Sequence, residues 1–167
     1  MHATAYISLG SNLGDRAGYL LLAVRALLRD GLAVSRLSLI YRTEPVDVLN
    51  QPEFLNLVAE LRGELPPPER LLVRLLDIEQ SLGRIRETTR GPRTIDLDLL
   101  TYDDLAFQTD FLTLPHPRLH LRRFVLVPFF ELAPDLRLPV LNATVRTLLS
   151  ELGDTSSVEI WNPGAQA

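Results

Sequence analysis

Residues 83–100 read GRIRETTRGPRTIDLDLL, and they bring Arg84, Arg86, Arg90 and Arg93 up against two carboxylates, Asp96 and Asp98. The run TIDLDLL alternates polar and apolar residues, the period-two pattern of a half-buried strand. Alternation puts both carboxylates on one face and Ile95, Leu97 and Leu99 on the other. At about 3.3 Å per residue their Cα atoms lie roughly 6.6 Å apart. Hard oxygen ligands at that spacing suit Mg²⁺, which binds through one or two carboxylates together with substrate phosphates. Arginine supplies the complement, a permanent charge in a fork that matches phosphate geometry. Asp-x-Asp alone also fits a solvated strand face. Arginines bunched this closely repel one another unless an anion joins them, and that favours a polyphosphate site.

The elements that must position these groups follow from periodicity. Ala5–Leu9 reads as a first strand, and Asp15–Arg29 as an amphipathic helix with Leu20, Val24, Leu27 and Leu28 at three- and four-residue spacing. The glycine loop between them, Gly10 to Gly14, lacks both the Gly-Lys-Ser/Thr ending and the Gly-x-Gly-x-x-Gly pattern, so its expected job is to turn the chain. Val34–Arg42 is predicted as a second strand and Phe54–Leu61 as a third, with Phe54, Asn56 and Val58 on one face. A buried Asn56 needs a partner, either a structural bond or a ligand. After Pro66-Pro67-Pro68, a helix runs from Glu69 to about Leu82. Leu72, Leu76 and Glu79 form its stripe, which makes Glu79 either a helix-edge salt bridge or a carboxylate aimed at the site. Beyond the central strand the spacing predicts a turn and short returning strand over 102–111, an extended Leu114–Arg118 segment, helices over 124–132 and 144–152 (capped by Thr144 or Asn142), and a last strand over 158–161. Strand, helix, strand, strand, helix, strand is the order of an α+β, ferredoxin-like βαββαβ sandwich, here with additional C-terminal helices and short strands. One sheet face would carry the helices and the other would stay open to ligands.

Composition bounds the rest. The 167 residues are 46% hydrophobic and 23% charged, enough for one domain over 1–161 with a frayed tail at 162–167. The net charge of −4 argues against a nucleic-acid-binding surface, so the arginine cluster is local. Without cysteine there are no disulfides, thiolate metal sites or cysteine nucleophile. All 17 basic residues are arginine, which excludes a lysine phosphate loop and Schiff-base chemistry. No signal peptide or membrane-length apolar run is legible, so the expectation is a cytoplasmic monomer with small-molecule substrates, no nucleic-acid partner and no membrane partner.

Taken in order, Gly10-Ser11-Asn12, Tyr41-Arg42-Thr43 with Pro45, Gln51-Pro52 to Asn56, Glu79 with Gly83–Arg86, Gly91-Pro92-Arg93-Thr94-Ile95-Asp96-Leu97-Asp98, Pro115-His116 and Arg122 with Phe124 resemble one family. That family is 6-hydroxymethyl-7,8-dihydropterin pyrophosphokinase, of folate biosynthesis. The resemblance implies transfer of pyrophosphate from ATP to the hydroxymethyl of the dihydropterin, releasing AMP, with two Mg²⁺ ions held by Asp96 and Asp98. It implies a catalytic set of Asp96, Asp98, Arg84 and Arg93. It places the pterin between Phe54 and Phe124, its polar edge read by Asn56 and the segment Thr43, Pro45, Val46. It assigns the nucleotide to Leu72, Glu79, Arg84, Arg86, Arg90, Arg93, Leu99, Thr113, His116 and Arg122. Three departures stand out. The loop before Gly91 is one residue short, which shifts the alignment of Arg90. Glu44 stands where proline is common, and Phe111 where some members place an arginine.

Overall fold

The structure is a computed structural model that describes residues 2–46, 50–84 and 93–165. Its centre is strand β1 (His2–Ser11), which is buried along nearly its whole length. Helix α1 (Arg16–Arg29) follows, capped by the Asp15 carboxylate, which accepts the Gly18 N–H at 3.0 Å. Next come β2 (Val34–Leu37), β3 (Tyr41–Thr43) and β4 (Phe54–Glu64), then α2 (Pro68–Ser81) and β5 (Asp96–Tyr102). A small hairpin, β6 (Phe107–Gln108) with β7 (Thr113–Leu114), leads to α3 (Arg123–Leu132). The chain ends with the hairpin β8 (Arg137–Leu138) and β9 (Ala143–Thr144), helix α4 (Val145–Ser150) and β10 (Val158–Ile160). Among the described residues no helix is long and apolar enough to cross a membrane.

The main sheet runs β5-β1-β4-β3-β10, with β2 also on β4, and every pairing is antiparallel. Counting β2 and β3 as one interrupted strand, this is the expected ferredoxin-like arrangement. Each face has its own core. Ile7, Leu9, Leu57, Leu61, Leu97 and Leu99 pack against Leu20 and Leu27 of α1 and Leu71 and Leu75 of α2. Tyr6, Val58 and Leu100 point the other way, onto Leu126 and Phe129 of α3 and Val145 of α4. The second face is therefore not open along its length, as the sequence reading expects. Helix α3 packs on part of it, while Ser8, Gly10, Asn56, Asp96 and Asp98 line a cavity.

Several expectations shift for identifiable reasons. The predicted strand over 34–42 is broken at Ser38, whose hydroxyl accepts the Val58 N–H at 2.9 Å in place of a ladder carbonyl, while Leu39 N–H goes to Glu131 at 2.8 Å. Gly10 and Ser11 belong to β1 rather than to a turn; the left-handed residue is Gly14, at φ 74°. The buried stripe of α2 is Leu71, Leu75, Ile78 and Glu79, rotated from the predicted Leu72 and Leu76. The turn and short strand predicted over 102–111 are present, the strand being β6, which pairs with β7. Thr144, not Asn142, caps α4, accepting Thr147 N–H at 3.2 Å.

Candidate active site

Register places the two carboxylates. Asp96 pairs with Gly10 and Asp98 with Ser8, so both project from the uncovered end of the sheet while Ile95, Leu97 and Leu99 are buried beneath. They floor a cavity of about 550 Å³. Arg84 leaves the end of α2 where Gly83, at φ 84°, turns the chain, and its Nη1 donates to Asp96 Oδ1 (2.5 Å), Glu79 Oε1 (3.1 Å) and the Ile95 carbonyl (3.1 Å). Arg93 Nη1 meets the other oxygen of Asp96 at 3.3 Å. Glu79 is 1% exposed and lines neither this cavity nor its smaller neighbour; its side chain sits behind Arg84 and holds it. Arg86 and Arg90, expected at the nucleotide, lie outside the described residues.

Electrostatics separate the groups. Burial, and then the Asp96 carboxylate, push Asp98 up to about 7, and Arg122 and Arg84 offset this only in part. A carboxyl disfavoured by burial and by a like charge is one that a bound cation relieves. Opposite, burial and the Arg122 cation, with Arg118 adding to them, push His116 down to about 4 against the pull of Asp96. The imidazole is therefore neutral near pH 7. Its Nδ1 accepts the Arg118 backbone N–H at 3.1 Å, which leaves the proton on Nε2 as a donor. The His116 N–H anchors the segment to the Leu100 carbonyl at 2.8 Å.

Aromatic and amide side chains complete the lining. Phe54 at the start of β4 and Phe124 in the first turn of α3 both line the cavity, with Arg93 5.2 Å from one ring and Arg122 5.5 Å from the other. Asn56, 4% exposed, donates to Thr43 Oγ1 at 2.6 Å. The structural-bond alternative thus holds, and the side chain still lines the cavity. Val46 lines it too, whereas Pro45 is buried outside it. A second cavity of about 230 Å³ meets the first at Asp98, His116 and Pro117, and takes in Leu72, Leu99 and Thr113.

Sequence reasoning gave no site role to several lining residues, Ser8, Gly10, Gln51 and Arg118, whereas Glu44 lines the cavity within the segment expected to read the pterin edge. It also missed Asn12, whose amide donates to Gln51 (2.9 Å) and the Pro52 carbonyl (3.1 Å) and accepts the Arg93 N–H (2.8 Å). Asn12 pins two loops beside the site. Continuing the alternation of β1 through Ser8 and Gly10 would have found the first two. For Arg118 the signal was a cation two residues from His116.

The profile of the 7,8-dihydro-6-hydroxymethylpterin-pyrophosphokinase (HPPK) family matches residues 6–134. The chain belongs to this family. It is accordingly a pyrophosphokinase of folate biosynthesis that transfers a pyrophosphoryl group from ATP to hydroxymethyldihydropterin. A 2-amino-4-hydroxy-6-hydroxymethyldihydropteridine pyrophosphokinase from Methylorubrum extorquens is 44% identical over 156 residues, covering 93% of this chain and 96% of that one. Its counterpart from Bacillus subtilis is 41% identical over 163 residues, covering 96% and 92%. The folic acid synthesis protein fol1 of Pneumocystis carinii is 38% identical over 149 residues, and the chain spans only 20% of its length. Among solved structures, an HPPK-DHPS crystallised with substrates superposes with a TM-score of 0.73 at 14% identity, over 89% of this chain and 43% of the other. At that identity the likeness speaks for the HPPK fold.

Proposed function

We propose that Asp96 and Asp98 hold two Mg²⁺ ions on which the ATP phosphates are braced, that Phe54 and Phe124 clamp the pterin ring, and that the smaller cavity takes the nucleoside. One observation carries this reading: both carboxylates line a single cavity together with the cationic donors Arg84, Arg93 and Arg122 and with the aromatic and amide groups of Phe54, Phe124 and Asn56. The donor set fits the metal, being two hard oxygens on one strand face, with the remaining positions left to phosphate and water. When bound, Mg²⁺ supplies Lewis-acid charge to the bridging and leaving oxygens.

The chain's own residues do the rest by position and charge. Arg84, fixed by Glu79 and by the Ile95 carbonyl, and Arg93, fixed through its backbone by Asn12, present guanidinium forks beside Asp96. His116 donates Nε2–H to a phosphate oxygen without adding charge, and Arg122 adds the charge. Asn56 and Thr43 read the polar edge of the pterin and set its hydroxymethyl toward the carboxylates. The hydroxymethyl oxygen then forms its bond to the β-phosphorus and releases its proton to solvent while the α–β bridge breaks, and AMP leaves with the bridging oxygen. The chain works as a single-domain monomer in the cytoplasm, where its co-substrate ATP is at hand; light scattering tests the monomer. The reaction test uses ATP, Mg²⁺ and 6-hydroxymethyl-7,8-dihydropterin, with Mn²⁺ counted by paramagnetic resonance on an ATP analogue. Pterin-dependent AMP in equal amount to pyrophosphorylated pterin, with two Mn²⁺ per chain, is expected. ADP as product, or a single ion, would overturn the reading.

A further inference from the structure

We propose that Phe111 caps the smaller cavity and stacks on the nucleotide base, making it an affinity-determining contact for ATP. This rests on the reading of that cavity as the nucleoside site.

Three observations converge on it. The cavity is an apolar slot between Leu72 of α2, Leu99 of β5 and Leu112, with Thr113 and Asp110 as polar neighbours. It joins the phosphate side at Asp98, His116 and Pro117, so a nucleotide can lie across both. Phe111 stands at the slot with 49% of its surface exposed, and it belongs to neither hydrophobic core. The turn that carries it is closed by bonds between the residues on either side. Thr109 N–H and Oγ1–H both donate to the Leu112 carbonyl (2.9 and 3.0 Å), and Leu112 N–H donates back to Thr109 Oγ1 (3.0 Å). The tip of the β6–β7 hairpin therefore presents an aromatic ring that the fold does not use. A base entering the slot would cover that ring and exclude water from both faces. Stacking of a base on an aromatic ring is worth about a tenfold gain in affinity or more. Because every base has a π-face, the contact strengthens binding without choosing among bases.

The experiment titrates ATP, and separately inorganic tripolyphosphate as a base-free probe, into the wild-type chain and into Phe111→Ala, Phe111→Tyr and Leu72→Asn. Calorimetry with Mg²⁺ gives affinities, and proton resonance follows adenine H2 and H8. Phe111→Ala should weaken ATP about tenfold, leave tripolyphosphate and the melting temperature unchanged, and abolish the upfield shift of the adenine protons. Phe111→Tyr should restore both affinity and shift. An unchanged ATP affinity in Phe111→Ala overturns the proposal, as does an equal loss of tripolyphosphate, which would mean an action through the phosphates. If Leu72→Asn alone weakens ATP, the cap fails and the slot reading stands. If neither substitution weakens ATP, the base binds elsewhere and both readings fall.

Discussion

Gly10 matters for what it lacks. A Cβ built there would come within 2.5 Å of Asn56 Oδ1 and 3.7 Å of the Phe54 ring, in the strand pair that sets Gly10 opposite Asn56. Asn56 cannot yield freely, because its amide is bonded to Thr43. Gly10→Ala should therefore tilt the amide out of register and weaken pterin binding, with ATP affinity kept. Asn56→Ala should do the same more strongly, by roughly 10- to 100-fold, the cost of leaving a buried partner group unpaired. The double variant should lose less than the sum, since both act through one amide. Calorimetry with pterin and with ATP separately checks all three; an equal loss for ATP would mean the two walls of the cavity are not distinct. The sequence made Asn56 conspicuous as an amide in an apolar strand, but the reason for Gly10 was hidden. A glycine beside a loop reads as a turn until the opposing strand is known.

At the scale of elements, the charged network beneath Arg84 and the one around Glu60 have different jobs. Glu79 sits on the buried stripe of α2 and fixes the Arg84 guanidinium beside Asp96. Glu79→Gln should lower kcat at least tenfold while changing KM for either substrate little, and steady-state kinetics would show it. A KM effect alone would point to a substrate contact instead. Glu60 is 2% exposed on β4 and accepts from Tyr6 (2.6 Å), Arg36 (2.7 Å) and Ser35 (2.7 Å), away from the cavity. Burial favours its neutral form, but the Arg36, Tyr6 and Ser35 bonds prevail and bring it down to about 2 from an ordinary 4.5. A depressed carboxylate contributes stability above its unfolded pKa, and that contribution is lost as pH falls from about 4.5 toward 2. The loss amounts to about 3 kcal/mol before solvent around the half-exposed Arg36 trims it. Glu60→Gln should flatten the melting temperature over that window and lower it by about 5–10 °C near pH 7. Thermal melts across the pH range check this; an unchanged profile would remove Glu60 from acid stability. The apolar patterns of β1, α1, β4 and β5 were legible because period two and period 3.6 are visible in a linear string. The break at Ser38 and the β8–β9 hairpin were not. One depends on a side chain replacing a backbone acceptor across strands, and the other is too short to show a period.

For the whole molecule, the decisive feature is partial coverage. Helix α3 packs Phe129 onto Tyr6 at 4.8 Å between ring centroids and stops short of the strand ends. The uncovered end of the sheet then gathers groups that the sequence spreads from Ser8 to Phe124. The linear motifs announced the chemistry of Asp96 and Asp98 and the arginines near them. They did not show that Arg118 would join the same cavity, because it arrives through an extended segment anchored to β5 by the His116 N–H bond to the Leu100 carbonyl.

Asp98→Asn tests the carboxylate pair with the shape of the site preserved. The substitution removes a charge that burial and Asp96 disfavour, so the melting temperature should hold or rise. AMP formation at saturating ATP, Mg²⁺ and dihydropterin should fall by about a thousandfold or more, the scale of losing a group that stabilises charge in the transition state. Turnover within tenfold of the wild type, in a chain that melts as the wild type does, would contradict the claim that Asp96 and Asp98 together brace the transferred group.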